Sequence, residues 1–174
     1  MPAVGDRRAG GYVLLLRLER HERIQVGKLG AFDFPAAHYL YFGSALGGIA
    51  SRIQRHQSPQ KKLHWHIDYL TGAARVEQAW WVAGRERWEC LWAQTALVIP
   101  EMAVPAAGFG SSDCRCPTHL VQAPRLRAAL SLTHEKSAGE SGGLAAGKAG
   151  RDRLTWLSGC QRAKFRAWSE RGMI

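Results

Sequence analysis

Apolar residues recur along this chain in two periods. Residues 12–18 (YVLLLRL) form an almost unbroken run of bulky and branched side chains, which reads as a buried strand. Residues 23–28 (RIQVGK) alternate and predict a second strand, after which Gly27, Gly30 and Pro35 punctuate a connection. Residues 38–42 (HYLYF) predict a third, aromatic strand ending at Gly43 and Ser44, with Ser44 as the N-cap of a helix over 45–57. On that helix Ile49 and Ile53 share one stripe, and Arg52 and His56 lie on its adjoining edge. Apolar positions 63, 67 and 70 predict a helix over 61–70, which sets His64 and Asp68 one turn apart. Residues 76–82 read as a further strand. Residues 85–99 read as a helix with Trp88, Trp92, Ala96 and Ile99 on one side and Glu89 and Ala93 beside them, ended by Pro100 and Pro105.

Residues 109–120 (FGSSDCRCPTHL) read as a loop dense in polar and metal-capable groups, followed by an Arg-rich element to about Leu132. The Gly, Ala and Ser-rich stretch 133–152 has little to bury and reads as a linker before a basic tail, 153–174, able to form a helix. The expected organisation is a basic arm (1–9), one domain (10–132), the linker and the tail. The expected fold is α/β (α+β): a small central three-stranded, mainly antiparallel sheet flanked by helices.

Charge narrows the function. In 174 residues there are 24 Lys and Arg against 14 acidic residues, a net charge of +10 and a pI near 10.0, a surplus that points to a polyanion such as nucleic acid. No apolar run approaches the roughly 20 residues that span a bilayer, and the N-terminal MPAVGDRRAGGYV lacks the apolar core of a signal peptide, so a cytoplasmic location without membrane attachment is expected. The cysteines at 90, 114, 116 and 160 do not make a disulfide framework; the close pair Cys114 and Cys116 suits metal or reduced thiols.

Cleaving a phosphodiester requires an activated water, a cation against the phosphate and usually a metal ion. The stretch YLYFGSALGGIASRIQRH offers an aromatic strand end, a glycine turn and two basic groups one helical turn apart. Alone, each of these residues has an ordinary structural explanation. Tyr12, with an unperturbed phenol near pKa 10, is a base at neutral pH only if Arg52 or a metal lowers it. Separately, Cys114, Cys116 and His119 are typical zinc ligands, and Cys90 or one of His64 and His66 could complete a set of four.

Over residues 10–97 these pieces resemble the GIY-YIG nuclease superfamily, with Gly10-Gly11-Tyr12 as the first motif and Tyr41-Phe42-Gly43 as the second. Arg52 follows Gly43 by nine residues, and His56 comes four later. The resemblance implies that Tyr12 and Tyr41 lie side by side on adjacent strands, that Tyr12, Tyr41, Arg52, His56 and Glu89 form a catalytic group, and that Glu89 holds Mg²⁺ or Mn²⁺. Gly43, Ser44, Lys28, Arg55, His64 and Asp68 are candidate substrate-binding residues around them. The motifs are further apart than is usual in the superfamily, so 27–35 reads as an insertion, and the chain has no asparagine.

HWHIDYL followed by FGSSDCRCPTHL also resembles, over residues 11–120, the uncharacterised domain-of-unknown-function 123 family, small proteins that occur alone or joined to DNA-repair glycosylases. That implies a shared feature made by His64, Asp68, Asp113, Cys114, Cys116 and His119. The expected function is a divalent-metal-dependent endonuclease acting on DNA, linked to repair or processing. The alternative is a non-catalytic nucleic-acid-binding module with a zinc-stabilised loop; a third reading is a zinc enzyme centred on Cys114, Cys116 and His119.

Overall fold

Strand β1 (Gly10–Leu18) lies between β4 (Ala37–Ala45) and β5 (Arg75–Ala83), antiparallel to both, and this placement explains its unbroken apolar run. Successive side chains of a strand point to opposite faces, and here both faces are covered. Tyr12, Leu14, Leu16 and Leu18 enter one core, while Val13 and Leu15 enter another. The computed structural model describes residues 7–123 and 166–168.

The first face carries α1 (Ile49–Gln57), the short α2 (His66–Leu70) and a hairpin of β2 (Glu22–Val26) and β3 (Gly30–Phe34). The second carries α3 (Trp88–Leu97), whose Trp92, Ala93 and Ala96 pack against Leu40, Phe42 and Trp80. A shift in register between Leu15 and Leu16 lets Val76 and Ala79 of β5 face the same core.

The sheet is larger than the three strands expected. A fourth strand, β6 (Leu120–Ala123), pairs antiparallel with β4, giving the order β6-β4-β1-β5, and β7 (Arg166–Trp168) adds a short edge beside β5. Leu120–Ala123 has only four residues, too few to display a period, and it becomes a strand because β4 offers it an open edge. The second predicted strand is real but stands outside this sheet. It pairs with Gly30–Phe34, which the glycines had marked as connection, so residues 27–35 supply the turn and second strand of a hairpin.

Helix boundaries also differ. Ser44 is still within β4, and α1 starts at Ile49 after Gly48, whose φ of 128° only glycine adopts readily. The helix expected over 61–70 begins only at His66. Upstream of it Arg55 donates to the Lys62 carbonyl and Lys61 to the His56 carbonyl, tying the segment to the end of α1 instead. The helix expected over 85–99 spans Trp88–Leu97. Among the described residues no helix is long and apolar enough to cross a membrane. The Arg-rich element, the linker over 133–152 and the helix expected in the tail lie outside the described residues, apart from Arg166–Trp168, which are strand.

Candidate active site and metal centre

Tyr12 pairs in register with Gly43 across β1 and β4. A Cβ on Gly43 would run into the Tyr12 ring, so the glycine is the gap over which that ring lies. Tyr41, two residues earlier on β4, shares this face, with the two ring centroids 6.3 Å apart and tilted. Helix α1 buries Ile49 and Ile53 on the same side, and one turn beyond Ile53 its buried His56 brings Nε2 to 2.8 Å from the Tyr12 hydroxyl. Arg52, on the open edge, lays its guanidinium 3.9 Å from the centre of the Trp65 ring.

Behind His56 is Asp68, fully buried at the start of α2. Its Oδ2 accepts from Arg55 (2.8 Å) and from the backbone N–H groups of His64 and Trp65 (both 3.0 Å), while His56 Nδ1 stands 3.6 Å from Oδ1. Burial by itself would raise this carboxyl. The neighbouring His56, the two amides and Arg55 outweigh it and hold Asp68 well below the usual carboxylate range.

On the far wall Glu89, in the first turn of α3, is 3% exposed, and its Oε2 has no hydrogen-bond partner. Its Oε1 accepts from Arg87 (3.2 Å), which also donates to Asp113 (2.8 Å). The loop before β6 closes the last side. Gly110 has φ of 75°, donates its N–H to His66 Nδ1 (3.0 Å), and comes so near Tyr41 that a Cβ would lie 2.9 Å from the ring. The cavity between these walls is about 290 Å³ and opens to solvent, and Tyr12, Tyr41, Arg52, Glu89, Asp113 and His119 are among its lining.

Burial controls protonation here. It pushes the Tyr12 phenol well above 10, with Tyr41 adding to the effect and Arg52 opposing it, and burial likewise raises Tyr41. It lowers His56, against the pull of Asp68, and also lowers His66 and His119, so the imidazoles are neutral at pH 7.

A second constellation adjoins the first. The Sγ atoms of Cys90, Cys114 and Cys116 and the Nε2 of His119 lie within 4.8 Å of one another, and His119 Nε2 is 3.4 Å from Cys114 Sγ and 3.6 Å from Cys90 Sγ. This Cys₃His group could hold a metal ion. Among the candidates for fourth member, the structure brings Cys90 to the group, whereas His66 is engaged by Gly110 and His64 lines the pocket. Burial and the adjoining thiols of Cys116 and Cys114 push Cys90 up to about 12, so binding a cation there would release protons.

Of the residues read from the sequence, Tyr12, Tyr41, Arg52, Glu89, Gly43, Ser44 and His64 line the cavity. His56 and Asp68 stand behind Tyr12. Arg55 is turned onto Asp68 and the Lys62 carbonyl, and Lys28 sits on the β2–β3 turn; neither lines the cavity. The reading missed Trp65, His66, Gly110 and Ser112 as lining residues, and Arg87 as the partner of Glu89. A signal existed in the paired glycines Gly108 and Gly110, both at positive φ, which mark a tightly shaped loop.

No curated protein matches the chain, and no solved structure matches it. The family described as Domain of unknown function DUF123 matches residues 11–140, more than half of the chain and all of the site just described. The chain belongs to the DUF123 family.

Proposed function

We propose that this protein is a divalent-metal-dependent endonuclease that hydrolyses phosphodiester bonds in DNA, in repair or processing in the cytoplasm. One observation carries the reading: Tyr12, Tyr41, Arg52 and Glu89, spread over two strands and two helices on opposite sides of the sheet, converge on one cavity, with His56 hydrogen-bonded to Tyr12 behind it. The resemblance to GIY-YIG nucleases joins the same residues. In this reading Tyr12 takes a proton from the attacking water, Arg52 faces the scissile phosphate, Tyr41 positions it, and His56 accepts or returns the proton. The buried, unpartnered Oε2 of Glu89 fits a hard cation, Mg²⁺ or Mn²⁺, which would neutralise charge on the phosphate and leave its other positions to water and phosphate oxygens. The net charge of +10 suits a DNA partner.

For the Cys₃His group the reading is zinc. A tetrahedral ion with Zn–S of about 2.3 Å and Zn–N of about 2.0 Å sets S···N edges at roughly 3.5 Å, and the two edges here are 3.4 and 3.6 Å. Four protein ligands leave no open position, which favours a structural ion over a zinc enzyme.

The test is cleavage of labelled linear, nicked, branched and single-stranded DNA with Mg²⁺ or Mn²⁺, by the wild type and by Tyr12→Phe, Arg52→Ala and Glu89→Ala. Cleavage lost in all three variants supports the proposal; a wild type that binds DNA yet cuts no substrate sinks it. The second reading, a binding module without turnover, is favoured by Arg87, which already neutralises both Glu89 and Asp113. Under it, all four proteins would bind DNA in a salt-dependent way and none would cut.

A further inference from the structure

Two buried polar atoms face each other without completing a hydrogen bond. Asp68 Oδ1 and His56 Nδ1 are 3.6 Å apart, each without another partner, in side chains with no solvent exposure. Leaving two such atoms unmet is costly, and an approach of a few tenths of an ångström would satisfy both.

The chemistry then fixes every proton along a line. Three donors hold Asp68 by Oδ2, so its orientation is set by α2 and Arg55 and not by His56. A carboxylate oxygen only accepts, so the proton between the two belongs on Nδ1 of the ring. A neutral imidazole carries one ring proton, which leaves Nε2 bare. The Tyr12 hydroxyl, 2.8 Å away, must therefore donate to it.

We propose that Asp68 is the positioning residue of a Tyr12–His56–Asp68 proton relay, its carboxylate holding the His56 ring with Nε2 free to receive the phenolic proton. The reaction assigned to the relay rests on the nuclease reading. Water yields a proton to the Tyr12 oxygen while that oxygen passes its own proton to Nε2. The water oxygen bonds to phosphorus, the P–O bond to the leaving alkoxide breaks, and the imidazolium so formed lies against the Asp68 carboxylate until its proton returns to the alkoxide or to water. Tyr12 needs such an outlet, since burial denies it a stable phenolate. Asp68 thus acts through His56 and does not touch substrate, in contrast to the binding role expected from the sequence. The charged and titratable groups around His56 are Arg52 on its own helix, Lys61 from the following segment, Asp68 on α2, and Tyr12 and Tyr41 from the sheet.

The deciding measurement is the tautomer of His56 in the full chain, read by ¹⁵N NMR of the imidazole, together with cleavage by Asp68→Asn. The expected ring carries its proton on Nδ1 in the wild type and changes tautomer in Asp68→Asn, whose amide can donate where the carboxylate accepted. Cleavage should fall roughly 10³-fold or more, and adding Asp68→Asn to Tyr12→Phe should cost less than about threefold further, because both act on one relay. A wild-type ring protonated on Nε2, or an Asp68→Asn variant that cuts within threefold of wild type, overturns the relay. If Asp68→Asn fails to fold, the wild-type tautomer still decides. A wild type with the Nδ1–H ring that cuts nothing sinks the nuclease reading and leaves the orienting role of Asp68 standing.

Discussion

The guanidinium of Arg52 lies 3.9 Å from the centre of the Trp65 ring, and that of Arg55 lies 4.8 Å from the same ring. One indole thus gathers two cations at the wall of the cavity and separates their tasks. Arg55 turns to Asp68, while Arg52 stays on the cavity side.

Replacing this ring is the simplest probe of Arg52. In Trp65→Leu the guanidinium loses a contact worth about 0.5–2 kcal/mol, so single-turnover cleavage should fall roughly 2- to 30-fold. A rate unchanged from wild type would mean that Arg52 holds its place without the ring.

Gly43→Ala tests the gap under Tyr12. The new methyl meets the ring carbons and hydroxyl of Tyr12, so the ring must move away from His56. The expected cost is about 1–3 kcal/mol in urea unfolding, with cleavage lost as the 2.8 Å hydrogen bond opens. Wild-type stability in this variant would show that the two strands part easily there.

Acid should destabilise the fold in two windows. His56 binds its proton less readily when folded, so below about pH 6.5 the unfolded chain takes up a proton that the folded one refuses, and stability drops as pH falls. His66 and His119 act in the same direction. Asp68 binds its proton less readily too, so its contribution is whole above about pH 4 and is lost as pH falls through its depressed folded value. Urea midpoints from pH 8 down to pH 3 measure both, and His56→Gln should shrink the upper window, leaving the part due to His66 and His119, and should also weaken the lower one, because His56 is among the groups that hold Asp68 down.

Metal analysis should find one zinc per chain, absent in Cys114→Ser. Its removal should lower the melting temperature by roughly 10 °C or more, since four ligands tie α3 to the loop before β6. An unchanged melt after complete removal would mean that the loop is held without the ion.

Local pattern carried the central strands, because β1 and β4 are covered on both faces and their apolar runs say so directly. It failed where a contact decided the outcome. Leu120–Ala123 is a strand only through β4, and the helix expected to start at residue 61 is shortened by the bonds from Arg55 and Lys61. For the site, the tyrosines and α1 were within reach because strand and helix periods place them. Trp65, His66 and Gly110 were not, since His66 and Gly110 meet across 44 positions through a loop whose course no period announces. Asp68 was also named from the sequence, but its full burial behind His56 is a property of packing that no local pattern announces.

Glu89 and Cys90 are consecutive on α3, one facing the cavity and the other the thiol cluster. A chelator therefore has two targets one residue apart, and its effect on cleavage does not by itself identify the catalytic cation. Add-back must be done with zinc kept in place and magnesium alone withdrawn. Purification matters for the same reason: oxidised thiols would pull on the helix that carries the carboxylate and would silence the proposed cleavage for a reason unrelated to the cation. A negative cleavage result counts only when the zinc content of the same sample has been shown to be whole.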